Sequence, residues 1–135
     1  AVRDLVREAR LSADDLIQPL FVKGEGKDEA ISSMPGMYRH SIPSLVDRVG
    51  AAVEAGVRAI ALFPKIADDL KSLDCAAAWD PTDLVPRAVS ELKRAFPGTL
   101  IITDVALDPY SALGQDGLVE GDVIVNDPTV AALCK

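Results

Sequence analysis

Thr99-Leu100-Ile101-Ile102-Thr103-Asp104-Val105-Ala106-Leu107-Asp108 changes character at Asp104, where an aliphatic run gives way to carboxylates. Thr99 to Thr103 has no polar alternation. That pattern predicts a strand buried on both faces, and therefore a parallel sheet. Working outward, Leu16-Ile17-Gln18-Pro19-Leu20-Phe21-Val22 is a second apolar run, ending at Lys23-Gly24, with Pro19 arguing against full pairing. Val57-Arg58-Ala59-Ile60-Ala61-Leu62-Phe63 is a third, stopped by Pro64. Between them, Ser44 to Ala55 places Leu45, Val49, Ala52 and Val53 on one helical face, with Ser41 or Ser44 as cap and Gly56 as stop. A second helix opens at Thr82 or Asp83, carries Leu84, Val85, Ala88, Val89 and Leu92 as its apolar stripe, and closes at Phe96-Pro97-Gly98.

Ala1 to Arg10 holds at most a short helical turn. Gly24 to Arg39 reads as loop, with Pro35-Gly36 as its turn signal, and Lys65 to Asp83 as a long polar connection. Val123-Ile124-Val125 reads as a short strand, and Asp127-Pro128-Thr129 starts a last helix that is expected to run to the end of the chain. The order is strand, helix, strand, helix, strand, loop, helix. This is an α/β pattern in which the loops after the strands, beginning at Lys23, Pro64 and Asp104, carry the chemistry.

The chain has 135 residues, 49% of them apolar, and a formal net charge of −7. That length suits one domain with a core, residues 1–135. The negative charge argues against nucleic acid, whose phosphates need a basic face. No apolar run approaches membrane-spanning length and no signal peptide is visible. Cys75 and Cys134 have no paired spacing and His40 is the single histidine, so a structural zinc site of thiolates and imidazoles is not expected. Free thiols suit a reducing, cytoplasmic setting. The missing initiator Met suggests a trimmed chain.

Asp104, Asp108 and Asp116 share one loop, in which Gly114 and Gly117 let the backbone turn sharply. A carboxylate at the mouth of an apolar strand is expected to be partly desolvated. It then needs a lysine, a substrate ammonium group or a hard metal ion as partner. Any one of them could simply cap a turn or a helix, but three at one mouth favour function. A phospho-acceptor receiver domain also places an Asp after a central strand. It needs an acidic pair after the first strand, where this chain has Phe21-Val22-Lys23-Gly24 and its Asp14-Asp15 lie before the strand.

From end to end the chain resembles the porphobilinogen synthase (5-aminolevulinate dehydratase) family. The resemblance rests on Leu5-Val6-Arg7-Glu8 with Asp15-Leu16-Ile17-Gln18-Pro19-Leu20-Phe21-Val22, and on Ile31-Ser32-Ser33-Met34-Pro35-Gly36 followed by Arg39 and Ser41. It continues through Leu62-Phe63, Asp104 to Tyr110 with Gly114-Gln115-Asp116-Gly117, and Asn126-Asp127 before Thr129-Val130. It implies the N-terminal part of a (β/α)8 TIM barrel with parallel strands. The implied enzyme condenses two molecules of 5-aminolevulinate into porphobilinogen as a homo-octamer built from dimers, with N-terminal arms embracing neighbours. The basic arm residues that usually precede this opening are absent.

The resemblance makes Asp104 the catalytic carboxylate beside the family's lysines. Asp108 and Asp116 become substrate-binding residues that orient an amino group, directly or through a hard ion such as Mg2+ or K+. Zinc-dependent members carry cysteines where this chain has Ala106, Asp108 and Asp116, so it resembles the zinc-independent, aspartate-rich branch. Leu113 and Cys75-Ala76-Ala77-Ala78-Trp79 depart from the family pattern and are expected to alter the pocket rim. The two Schiff-base lysines belong to later strands, past Lys135. Lys23 and Lys65 match neither and are expected to be solvated strand-end side chains. Two expectations follow: a fragment of the enzyme, inactive alone, or a non-catalytic α/β module that self-associates to cover its open edge.

Overall fold

The computed structural model describes residues 1–135. Its elements are α1 (Val2–Leu5), β1 (Ile17–Lys23), β2 (Glu29–Ala30), β3 (Tyr38–His40), α2 (Ile42–Glu54) and β4 (Ala59–Lys65). They are followed by α3 (Leu84–Ala95), β5 (Leu100–Thr103), β6 (Val119–Glu120), β7 (Val123–Ile124) and α4 (Asn126–Leu133). A five-stranded sheet has the order β2-β3-β1-β4-β5, and β6 pairs with β7 in a separate ribbon. Within the five-stranded sheet β1 runs parallel to β3 and β4, β4 runs parallel to β5, and only β2 is antiparallel; β6 and β7 also pair antiparallel.

The helix-linked strands β1, β4 and β5 lie side by side in chain order. That is the singly wound order of a barrel. A receiver-type doubly wound sheet sets its first strand between the second and the third, whereas here β4 lies between β1 and β5, so the receiver alternative is excluded.

The helices cover one face of this sheet. Leu20 and Val22 of β1 and Ile60 and Leu62 of β4 pack with Leu45 and Val49 of α2 and with Leu84, Ala88 and Leu92 of α3. The other face is apolar but uncovered: Ile17 is 56% exposed and Leu100 is 60% exposed, and Phe63 and Ile102 also face solvent. The expectation of burial on both faces therefore holds for one face alone. The strands lack polar alternation because the second face is also apolar, as a barrel interior must be.

The ends of α2 follow from local chemistry. Ser41 occupies the cap position and Pro43 the first turn, where a missing N–H costs nothing. At the other end the Gly56 N–H donates to the Val53 carbonyl and the Val57 N–H to the Ala52 carbonyl, each at 2.9 Å, with Gly56 at φ +93°. This is the paired closing pattern that needs a left-handed residue after the helix. α3 starts after Asp83 as expected, although the Asp83 side chain does not cap it and its Oδ2 is buried without a partner.

Four expectations need correction. β4 does not stop at Pro64 but continues to Lys65, with Pro64 opposite Val22. β5 reaches no further than Thr103 opposite Leu62, so Pro64 has only one paired neighbour. Pro19 sits inside β1 opposite Ala61 and is tolerated for the same reason, because β3 pairs only with Phe21 and Val22. Gly24 to Arg39 is not all loop, since β2 and β3 form an antiparallel pair there, in strands too short to show periodicity. The stretch from Lys65 to Asp83 is less polar in effect than in composition: Ile66 and Cys75 are buried in the core, and two short 3-10 turns shape it. α4 runs from Asn126 to Leu133, with Cys134 as its cap.

Gly56 tests the closing turn of α2. An added Cβ would lie 3.1 Å from the Ala13 Cβ, on a backbone that L residues rarely adopt. Gly56→Ala should lower unfolding free energy by about 1 kcal/mol or more. Gly98→Ala, where an added Cβ meets nothing within 4 Å, should be close to neutral. Equal denaturation midpoints for the two variants would refute this account.

Candidate active site

Because β1, β4 and β5 are parallel, Lys23, Lys65 and Asp104 emerge at the same edge of the sheet. There the strand ends and following loops enclose a cavity of about 340 Å3. Asp104 and Asp108 line it together with Arg39, Lys65, Lys71 and Tyr110, over a floor that includes Phe21 and Phe63. Those two rings are register partners in β1 and β4, with centroids 5.8 Å apart.

The carboxylate loop is anchored at several points. Leu107, Tyr110 and Ser111 are buried beneath it. The Ser72 N–H donates to the Tyr110 carbonyl at 3.1 Å, and the Ala112 N–H to the Ser72 carbonyl at 3.0 Å, so the loop after β5 is laced to the loop after β4. At its far end the Leu118 N–H donates to Thr129 Oγ1 at 2.9 Å. Gly117 permits that approach, since a Cβ there would lie 2.5 Å from the Ile124 Cγ2. Within the loop, Asp116 Oδ1 accepts from the Leu107 N–H at 2.8 Å.

The three aspartates therefore separate. Asp104 and Asp108 face the cavity, whereas Asp116 is spent on the loop backbone and does not line it. All three are exposed, contrary to the expected partial desolvation, because the uncovered sheet leaves the mouth open. Asp104 and Asp108 neither accept a hydrogen bond nor form an ion pair within the chain. The cations around them are taken: Arg39 Nη1 lies 2.7 Å from Glu29 Oε1, Lys65 Nζ 3.4 Å from Glu29 Oε2, and Lys71 Nζ 2.9 Å from Asp68 Oδ1. Desolvation works against the Glu29 charge, but the Lys65 hydrogen bond and the charges of Lys65, Arg39 and Lys23 outweigh it and hold the carboxyl below its ordinary range. Burial, reinforced by the charge of Asp83, pushes the Tyr110 phenol up to about 12, so it is a neutral wall at physiological pH.

Several lining residues were not expected. Arg39 stands out in the sequence only as part of a motif, and its strand is too short to read. Lys71 lies in what looks like a polar connection. Lys65, expected to be a solvated strand-end lysine, is half exposed yet lines the cavity. Lys23 donates to the Lys27 carbonyl at 2.8 Å and stays outside it. Of the two departures from the family pattern, Leu113 is exposed away from the cavity. Trp79 instead lines a neighbouring hollow of about 200 Å3 that Asp104 also borders.

No group of three or more His, Cys, Asp or Glu side chains is placed to hold an ion. Asp116 already gives its Oδ1 to the Leu107 N–H, while Asp104 and Asp108 have no internal partner. Cys75 is buried in the core, Cys134 is exposed, and His40 Nδ1 is 2.7 Å from Asp28 Oδ2. No helix is long and apolar enough to cross a membrane.

Comparison with known proteins identifies this arrangement. Residues 1–135 match the family described as delta-aminolevulinic acid dehydratase. The chloroplastic delta-aminolevulinic acid dehydratase of Selaginella martensii is 47% identical over 140 residues, covering 100% of this chain and 33% of that protein. The Rhodobacter capsulatus protein of the same name is 40% identical, covering 100% of this chain and 41% of its own length. The Toxoplasma gondii delta-aminolevulinic acid dehydratase (porphobilinogen synthase), solved with its reaction product porphobilinogen, superposes with a TM-score of 0.96 at 47% identity. That match covers 98% of this chain and 38% of the other. The chain thus spans about a third of the length of such relatives, and the elements described above are the first part of their barrel. On these matches, the chain belongs to the delta-aminolevulinic acid dehydratase family.

Proposed function

We propose that this chain contributes the first catalytic loops of an enzyme that condenses two molecules of 5-aminolevulinate into porphobilinogen. The observation that carries this reading is the cavity at the C-terminal strand ends. In it Asp104 and Asp108 stand free of internal partners beside Arg39, Lys65 and Lys71. The substrate is an amino ketone with an ammonium group at one end and a carboxylate at the other. A wall bearing unpaired carboxylates suits the ammonium end of such a molecule.

In this reading Asp104 is the catalytic carboxylate. Its negative charge stabilises a protonated amine at the reacting centre and can accept a proton from it as the condensation loses water. Asp108 orients the amino group of a bound substrate. Asp116 acts one step back: its bond to the Leu107 N–H sets the curve of the loop that aims Asp104 and Asp108. Schiff-base chemistry needs lysines in a drier setting, which the family resemblance assigns to later strands. Lys23, Lys65 and Lys71 are each committed to an acceptor at the rim.

The aspartates and Ala106 at the family's cysteine positions support a zinc-independent enzyme. The free thiols Cys75 and Cys134 suit a reducing compartment, which for relatives named chloroplastic is not the cytoplasm. The uncovered sheet face supports assembly with further chain and with other copies, and an octamer is the family expectation.

Borohydride reduction of the complete protein with 5-aminolevulinate should trap a covalent adduct outside residues 1–135. An adduct on Lys23, Lys65 or Lys71, or none anywhere, would overturn this reading. Asp104→Asn in the complete protein should lower turnover by about 100-fold or more, with little change in melting temperature. Near-parental turnover would remove Asp104 from its role. Asp116→Asn keeps an oxygen acceptor for the Leu107 N–H and should retain most stability, whereas Asp116→Ala should lose about 1 kcal/mol and activity with it. If Asn proves as damaging to stability as Ala, the anchoring role is wrong.

A further inference from the structure

The charges at the cavity are partitioned in a way that composition does not require. Three cations line it, and each is paired with a carboxylate that does not: Arg39 and Lys65 with Glu29, Lys71 with Asp68. The two carboxylates that do line it have no ionic partner. An unconstrained Lys65, lining the same cavity as Asp104 and Asp108, would be drawn to them, because opposite charges attract even near a protein surface.

Glu29 is built into the sheet. It stands in β2 directly opposite Arg39 of β3, and Arg39 is in turn opposite Phe21 of β1. One carboxylate oxygen meets Arg39 and the other meets Lys65 at the end of β4. Three strands thus converge on a single side chain. A carboxylate that meets two cations at once tethers both of them to β2.

We propose that Glu29 is a positioning residue that holds Lys65 and Arg39 away from Asp104 and Asp108, reserving those carboxylates for the ammonium group of an amino-ketone substrate. The β2-β3 pair then serves the site by carrying this counter-ion. The proposal deepens the condensation reading of the same cavity and rests on it for the identity of the ammonium ligand.

The test uses the complete protein with Glu29→Gln, which keeps size and hydrogen-bonding capacity but removes the charge. KM for 5-aminolevulinate should rise about threefold or more, with kcat within about twofold, since the loss falls on substrate binding. Adding Lys65→Met to Glu29→Gln removes the released cation and should bring KM back toward the parental value. A purely structural role for Glu29 would give no such recovery. An unchanged KM in Glu29→Gln, or a raised KM that Lys65→Met leaves in place, overturns the proposal.

A second readout does not depend on activity. A crystal structure of the complete Glu29→Gln protein should place the Lys65 ammonium or the Arg39 guanidinium within ion-pair distance of Asp104 or Asp108. Both cations left away from the two carboxylates would overturn the proposal. Cations moved onto them in a protein that forms no porphobilinogen would leave the charge partition standing and remove the condensation reading instead.

Discussion

The parallel pairing of β1 with β4, seven residues in continuous register from Ile17–Ala59 to Lys23–Lys65, is the constraint on which the rest depends. It places Leu20 and Leu62 side by side on the face that receives α2 and α3, and Phe21 and Phe63 side by side on the other. A slip of one residue would exchange the two faces and expose the core. Because β5 joins with the same polarity, it also fixes which edge of the sheet holds Lys65 and Asp104. The cavity forms where β5 stops at Thr103, opposite Leu62, while β4 runs on beside β1 to Lys65.

Anchoring the loops is a separate problem, and the chain solves it with backbone and short polar contacts. Ser72 and Ser111 form an isolated parallel bridge between the loops after β4 and β5. Asp116 closes a nine-residue span onto the Leu107 N–H, and Thr129 reaches from α4 to the Leu118 N–H. Leu107 and Tyr110 sink into the core beneath these contacts. The exposed Asp104 and Asp108 are thereby carried on a loop whose path is determined by buried neighbours. Positioning is obtained without burying the charges themselves, so their desolvation cost is avoided.

What could be read from the sequence follows the range of the interactions. The long apolar runs, the stripes of α2 and α3 and the Gly56 stop are local signals, and they match the structure. The family is legible in motifs, and with it the sheet edge that carries the proposed site. Pro64 misleads because a proline's cost depends on whether a strand lies on its N–H side, which is a tertiary fact. β2 and β3 are missed because strands of two and three residues carry no period. The use of Asp116 is hidden for a related reason: an Asp that bonds a backbone N–H nine positions away looks, in sequence, like one that faces a ligand. Arg39 and Lys71 reach the cavity through loop and hairpin geometry that no spacing rule encodes.

The two faces of the sheet differ in what completes them. The helix side is self-contained: Leu20, Val22, Leu45, Val49, Ile60, Leu62, Ala88 and Leu92 are all buried, and every one belongs to this chain. That packing accounts for a third of a barrel keeping the same course, at a TM-score of 0.96, as in a longer relative. The inner face has no such closure. Ile17, Ala59 and Leu100 share one register level, and Pro19, Ala61 and Ile102 another. These are layers of the kind that side chains from further strands fill in a barrel. The same closure bears on the chemistry. Asp104 lies at the end of the uncovered edge strand β5, so a neighbouring strand there would both bury the inner face and lower the dielectric around the carboxylate. Covering the inner face and sharpening the electrostatics of the site are consequently one physical event.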